Sequence, residues 1–326
     1  MLFETKKILL DTIDIKDHTF RISSFADPVW IKALADSIDR LGLLQPPLID
    51  ESGSHRQIVS GFRRVAACDQ LGRREIACRL LTPDAPRPWV AQQAVAENAW
   101  QRPLNLMEKA RAVALLEKMR GESDRMTVLA ALAGQVENQK MIDKLTRLSR
   151  LPLSIQRAVE NDLLGLAMAL ALGDLASEDA GQILDLFQTF RFGLNRQREL
   201  MELIQEIAKR ESISIGQVLK SDVITSILNR PGQDRPARGG ALRRYLKQRR
   251  YPALSQAETA FKQLESELGL GPRIRLVPPP YFEGNTYQLI FAFDTLDELT
   301  RHQQHLEKMR QHPRLQRILG NMPMKQ

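Results

Sequence analysis

Cysteine is nearly missing from this chain, with 2 in 326 residues, so a disulfide framework is excluded as a source of stability. Cys68, in a predicted helix, and Cys78, in a predicted strand, read instead as buried reduced thiols. Long apolar runs are missing too. The most apolar stretch, residues 163–172, is too short to cross a bilayer and is alanine-rich like a packed helix, so no membrane partner is expected. Histidine is scarce: His302 and His305, three apart, lack the carboxylate or thiol pair that would complete a metal site and read as a polar helix face. The clustered acids of a metal-dependent nuclease are not visible either. The opening residues 1–7 lack a basic stretch followed by an apolar core, so a cytoplasmic, nucleoid-associated protein is expected.

What is present is ample apolar content, 43%, for true cores in two or three domains. Net charge is +8, and one segment holds nearly all of it. Arg230, Arg235, Arg238, Arg243, Arg244, Lys247, Arg249 and Arg250 face the single acid Asp234, among prolines and glycines. That composition suits a flexible arm touching polyanions, and equally a solvated linker. Seven neutralised phosphates would cost roughly three to five decades of affinity between 50 and 200 mM salt. No strongly amphipathic apolar face accompanies the charge, which favours nucleic acid over membrane.

The most telling motif is Gln57-Ile-Val-Ser-Gly-Phe-Arg-Arg64, a short apolar strand entering a small-residue turn and then a helix predicted over 65–71. Two cations at a helix start oppose its partial positive charge, at roughly 0.3–1 kcal/mol each, unless an anion sits opposite. Gly61, Arg63 and Arg64 therefore describe a phosphate cradle, with the glycine allowing close backbone approach. The same arginines also suit plain solvated surface charge.

Periodicity organises the rest. Strands are predicted over 7–15, 47–50, 56–60 and 75–81, with a helix over 28–41. From about residue 88 the pattern is helical, with Met107, Ala110, Val113, Leu116 and Met119 on one face. Residues 127–134 followed by 135–150 have the spacing of a helix-turn-helix, in which Asn138, Gln139, Lys140, Lys144 and Arg147 would meet duplex DNA while Met141, Ile142, Leu145 and Leu148 pack inward. Two ordinary bundle helices remain the alternative. Past the basic segment, a helix over 255–268, strands over 273–277 and 286–293 and a helix from Thr295 form a unit thin enough to require self-association. Thr295 and Glu298 match a capping box.

Three linked motifs resemble the ParB partition-protein family: Leu34 to Ile49, a helix ending in Gly42 before Gln45-Pro46; the strand entering Gly61-Phe-Arg-Arg64; and Glu97-Asn98 ahead of Arg102. Leu145-Thr-Arg-Leu-Ser-Arg-Leu-Pro152 and the segment 258–308 extend the resemblance. It implies an α+β multidomain protein: a ParB/sulfiredoxin-like N-terminal α/β domain (1–102), an all-α helix-turn-helix domain (103–228), a basic linker (229–252) and a C-terminal α/β dimerisation unit (253–326).

By that resemblance Arg21, Gly61, Arg63, Arg64 and Arg102 would hold the phosphates of CTP, with Glu97 and Asn98 on Mg²⁺. The protein would bind double-stranded DNA as a homodimer in plasmid or chromosome partition, with Arg243, Arg244, Lys247, Arg249 and Arg250 adding phosphate contacts. An active CTPase switch and a nucleotide-independent regulator are the alternatives. The sequence departs from the family at three places. Phe62 replaces the glutamate of the G-E-R-R motif and Gln101 falls where the box arginine belongs, so hydrolysis is the first property expected to be lost. The stretch Leu166 to Ala169 replaces a polar Gly-His-Ala-Arg. A ParA-type ATPase partner is doubtful, since the chain starts almost at its first strand. Sulfiredoxin's cysteine beside the arginine is absent, Phe62 standing there.

Overall fold

The computed structural model describes residues 3–24, 28–52, 55–120, 138–284 and 286–320. The chain divides into two compact units, residues 1–198 and 199–326, and the architecture is α+β.

The first unit opens with β1 (Phe3–Leu9) and β2 (Ile13–Asp14), followed by α1 (Pro28–Leu41), β3 (Leu48–Asp50), β4 (Arg56–Ser60), α2 (Phe62–Gln70), β5 (Glu75–Leu81) and α3 (Arg87–Ala99). The expected single strand over 7–15 is instead two, broken by a 3-10 turn at Leu10–Thr12. That turn lets both Leu10 and Ile13 bury, which an unbroken alternation does not allow.

The five strands lie in the order β1-β5-β3-β4-β2. β1 runs antiparallel to β5 and β3 antiparallel to β4, while the β3–β5 and β2–β4 pairs are parallel. β3 and β4 enter the interior nearly whole, and the core joins Ile49, Ile58 and Leu80 to Ile38 of α1 and Val65 of α2. Both cysteines are fully buried and free, and burial pushes the Cys78 thiol up to about 12.

A helical array follows: α4 (Leu106–Arg120), α5 (Gln139–Ser149), α6 (Leu153–Glu160), α7 (Leu166–Gly173), α8 (Ser177–Phe190) and the start of α9 (Leu194–Glu211). Met107, Ala110, Val113 and Leu116 are buried along α4 as their spacing requires. The stretch Leu166 to Ala169 opens α7, with Ala169 fully buried.

The second unit continues α9 and adds α10 (Ile215–Leu219), α11 (Asp222–Leu228), α12 (Arg235–Arg250), α13 (Pro252–Leu268), β6 (Ile274–Val277), β7 (Gln288–Phe291), α14 (Leu296–Arg310) and α15 (Pro313–Gly320). The expected flexible basic arm is largely the helix α12. Its start is fixed by Asp234, whose side chain accepts from the Ala237 amide at 2.8 Å, with Pro236 in the first turn. Leu242 and Leu246, four apart, are fully buried and anchor it. That pair is the apolar signal the charge count obscured.

β6 and β7 form an antiparallel hairpin over a small core of Phe261, Leu264, Leu276, Met309 and Leu315. Thr295 caps α14, its side chain accepting from the Glu298 amide at 3.3 Å, while Glu298 reaches back to the Asp294 amide rather than to that of Thr295. The second half of the expected capping box is thus displaced by one residue.

Candidate functional site

The strand-to-helix turn forms where the sequence places it. β4 ends at Ser60, Gly61 takes φ +90°, and α2 begins at Phe62, so Arg63 and Arg64 do occupy its first turn. Glycine is required twice over: the positive φ disfavours a side chain, and a Cβ would stand 2.8 Å from Pro47 Cβ. Around this turn lies a cleft of about 130 Å³ lined by Ile22, Ser23, Ser60 to Arg64, and by Glu97, Asn98, Gln101 and Arg102 from α3 and the residues after it. Segments 57–64 and 97–102, distant in sequence, therefore meet at one site.

The predicted residues are in very different states. Arg63 is exposed at the cleft, and among the described residues no hydrogen bond or ion pair engages it. Arg64 is 18% exposed; its Nη1 donates to the Gln45 carbonyl at 2.6 Å and its Nη2 lies 3.9 Å from Glu97 Oε2. Burial lowers the Arg64 pKa, with Arg79 adding to the effect and Glu97 opposing it. Arg102 faces the cleft but is held bidentately by Glu108, at 2.8 and 2.6 Å, and Glu108 is 1% exposed.

Arg21 is half-buried near the cleft. It donates to the Ser23 and Ser24 carbonyls, and its guanidinium carbon lies 5.5 Å from the centre of the Phe62 ring. Burial, followed by the charges of Arg63 and Arg111, lowers its pKa. Phe62, also against His18 at 6.2 Å between ring centroids, packs on the domain core and leaves the cleft open beside it. Ser24 donates to Glu160 of α6 at 2.8 Å, and Arg111 of α4 pairs with the same carboxylate at 2.5 Å, joining the rim of the cleft to the helical array.

Glu97 is the carboxylate of the cleft lining, and both its oxygens are engaged. Oε1 pairs with Arg79 of β5, and Oε2 accepts from Ser60 Oγ at 2.6 Å. Burial opposes its ionisation, but the hydrogen bonds from Ser60 and Arg79 and the charges of Arg79 and Arg64 outweigh it and hold the pKa below the usual carboxylate value. Asn98 donates through Nδ2 to the Ala94 carbonyl at 2.8 Å. A protein-bound Mg²⁺ needs oxygen ligands in a near-octahedral shell, commonly one or two carboxylates. A single carboxylate already paired with guanidinium does not fit that requirement. Sequence reasoning missed Ser60 and Arg79; the available signal was a lone cation inside the apolar run Ile76 to Leu81.

The predicted DNA-facing residues lie in both units. The first helix of the expected helix-turn-helix, 127–134, and the following residues 135–137 lie outside the described residues. In α5, Ile142, Leu145 and Leu148 are fully buried and Met141 partly so. Asn138 is the N-cap, accepting from the Met141 amide at 3.0 Å, and Gln139 donates to Asp143 at 3.2 Å. Arg147 pairs with Asp174 at 2.6 Å. Lys140 and Lys144, four apart, are exposed.

In the second unit, Arg243 donates through Nε to both Glu199 oxygens at 2.8 Å, and Lys247 joins the same carboxylate at 3.2 Å. Arg249 pairs with Glu211 and Arg250 with Glu206, each at 2.5 Å. Arg244 is exposed, and among the described residues nothing engages it.

A small curled α/β domain with an arginine-lined strand-turn-helix cleft is thus followed by an array of helices. Residues 4–99 match the ParB N-terminal domain, so over those residues the chain carries a domain of that family. A probable chromosome-partitioning protein ParB of Rickettsia conorii is 35% identical over 143 residues, 44% of this chain and 46% of that protein. The chain thus spans about half the length of such relatives. The chromosome-partitioning protein ParB of Myxococcus xanthus is 22% identical over 280 residues, covering 85% of this chain and 80% of that protein. Among solved structures, Caulobacter crescentus ParB complexed with CTP-gamma-S matches at TM-score 0.25 and 21% identity, over 56% of this chain and 98% of that one. Among the described residues no helix is long and apolar enough to cross a membrane.

Proposed function

We propose that this chain is a ParB-like DNA-binding protein of plasmid or chromosome partition whose N-terminal cleft binds the phosphates of a nucleotide, CTP being the one its family resemblance implies. The observation that carries the reading is Arg63, an exposed and unengaged guanidinium in the first turn of α2, facing a cleft that also contains Arg64 and Arg102. A cation there is unfavourable without an anion. Arg21 and Gly61 support the same site, one from its rim and one by letting the backbone close up. The expected Glu97–Asn98 magnesium site lacks a free carboxylate, so the proposed ligand contacts are the guanidiniums and the helix start.

Duplex DNA is the proposed partner of α5, through exposed Lys140 and Lys144, and of the unpaired cations of α12. The small C-terminal core, with Ile290, Phe293, Leu296, Leu299 and Leu306 exposed around it, supports a C-terminal unit that joins two copies as a homodimer. A nucleoid location follows from DNA binding.

Equilibrium binding of radiolabelled CTP to wild type and Arg63→Ala tests the reading. Loss of a charge-assisted contact of about 1.5–3 kcal/mol should weaken binding by one to two decades. Because Arg63 is exposed, the melting temperature should hardly move. Equal, negligible binding by both proteins would discard nucleotide sensing and leave a plain DNA-binding protein.

A further inference from the structure

We infer that this cleft binds its phosphate ligand without a protein-held divalent cation, the guanidiniums of Arg63 and Arg64 on its lining supplying the positive charge while Arg79 holds Glu97 away from a metal. The inference rests on the proposed nucleotide reading of the same cleft and adds to it how the ligand's charge is met.

Glu97 is in direct contact with Arg79 and Ser60, and Arg64 lies 3.9 Å from its second oxygen. Recruiting Glu97 to a cation would require breaking those contacts. Arg79 and Arg64, 26% and 18% exposed, would be left half-buried without their counter-charge. Removing one partner from such a pair is more costly than never forming it. An incoming Mg²⁺ would also face two guanidiniums at close range, and no second acidic side chain stands among the lining residues to offset them.

Arg79 is anchored as the partner of Glu97. It sits on β5 in register with Leu48 of β3, its amide donates to the Pro47 carbonyl at 2.9 Å, and its guanidinium carbon lies 5.4 Å from the Phe3 ring centre. Glu97 is therefore a positioning residue that fixes two arginines, rather than a metal ligand.

The sign of the metal effect follows. Magnesium complexed to CTP lowers its negative charge, so a cradle built only from arginines prefers the free nucleotide. CTP should bind wild-type protein in EDTA at least as tightly as in excess MgCl₂, the two dissociation constants agreeing within about threefold or favouring EDTA. Binding that appears only with MgCl₂, or that is more than about threefold tighter there, overturns the inference while leaving the nucleotide reading intact. No CTP binding by wild type in either buffer defeats the nucleotide reading and this inference with it.

Discussion

The Ser60 hydroxyl donates to Glu97 Oε2 at 2.6 Å, tying the end of β4 to the last turn of α3 across the floor of the cleft. Ser60 is 2% exposed, so water does not readily replace the bond. A hydrogen bond to an ionised group contributes about 1.5–3 kcal/mol. Ser60→Ala should lower unfolding free energy by about that amount in urea titrations, with the slope unchanged. An unchanged midpoint would show that the link contributes nothing to holding α3.

Arg102 is expected to act as a structural residue first. Its guanidinium neutralises Glu108, a carboxylate at 1% exposure, which keeps only the Asn105 amide if the arginine is removed. Arg102→Ala should cost about 3 kcal/mol or somewhat less, by analogy with broken buried pairs. Arg102→Ala/Glu108→Gln should recover part of the loss. A thermal melt of Arg102→Ala indistinguishable from wild type would contradict this.

Acid should destabilise the first unit through these same carboxylates. For Glu97 and Glu108, burial favours the neutral form but is outweighed by hydrogen bonds and arginine charge, so both folded pKa values lie below the ordinary 4.5. The stability they contribute is complete above that unfolded value and is lost as pH falls through the lower folded values. Chemical denaturation from pH 7 downward should therefore be flat until about pH 5 and then decline. The Glu97→Gln/Glu108→Gln variant should decline less; an identical slope would assign acid sensitivity elsewhere.

DNA affinity should depend on salt less steeply than the charge of residues 229–251 suggests. Four of its cations already answer to Glu199, Glu206 and Glu211. With Arg230, Arg235 and Arg244 left exposed, the segment should contribute a log–log salt slope of about −3, instead of about −6 for seven phosphates. Fluorescence anisotropy on a labelled duplex across a KCl series measures this. Glutamine at all three glutamates should steepen the slope; no change would show that DNA displaces the acids unaided.

Much of the first unit was legible because its signals are local. Ile58 and Val59 bury beside a glycine whose positive φ turns the chain, and the alternation from Glu75 to Leu81 marks a strand whatever surrounds it. In the second unit the Thr295 cap likewise acts within three residues. Strand β1 was misread because its sheet edge leaves most of its residues exposed, and α12 because two buried leucines are easily lost among arginines.

The sequence alone determined most of the elements and brought Gly61, Arg63 and Arg64 to a helix start, since backbone dihedral preferences and apolar spacing act over a few residues. Tertiary structure decided which charges remain available: Arg64 is bound to Gln45, Arg102 to Glu108, Glu97 to Arg79 and Ser60, and Arg63 stays open to a ligand. Desolvation forces every partly buried ion to find a partner, and most of those partners are chosen by packing between segments tens of residues apart.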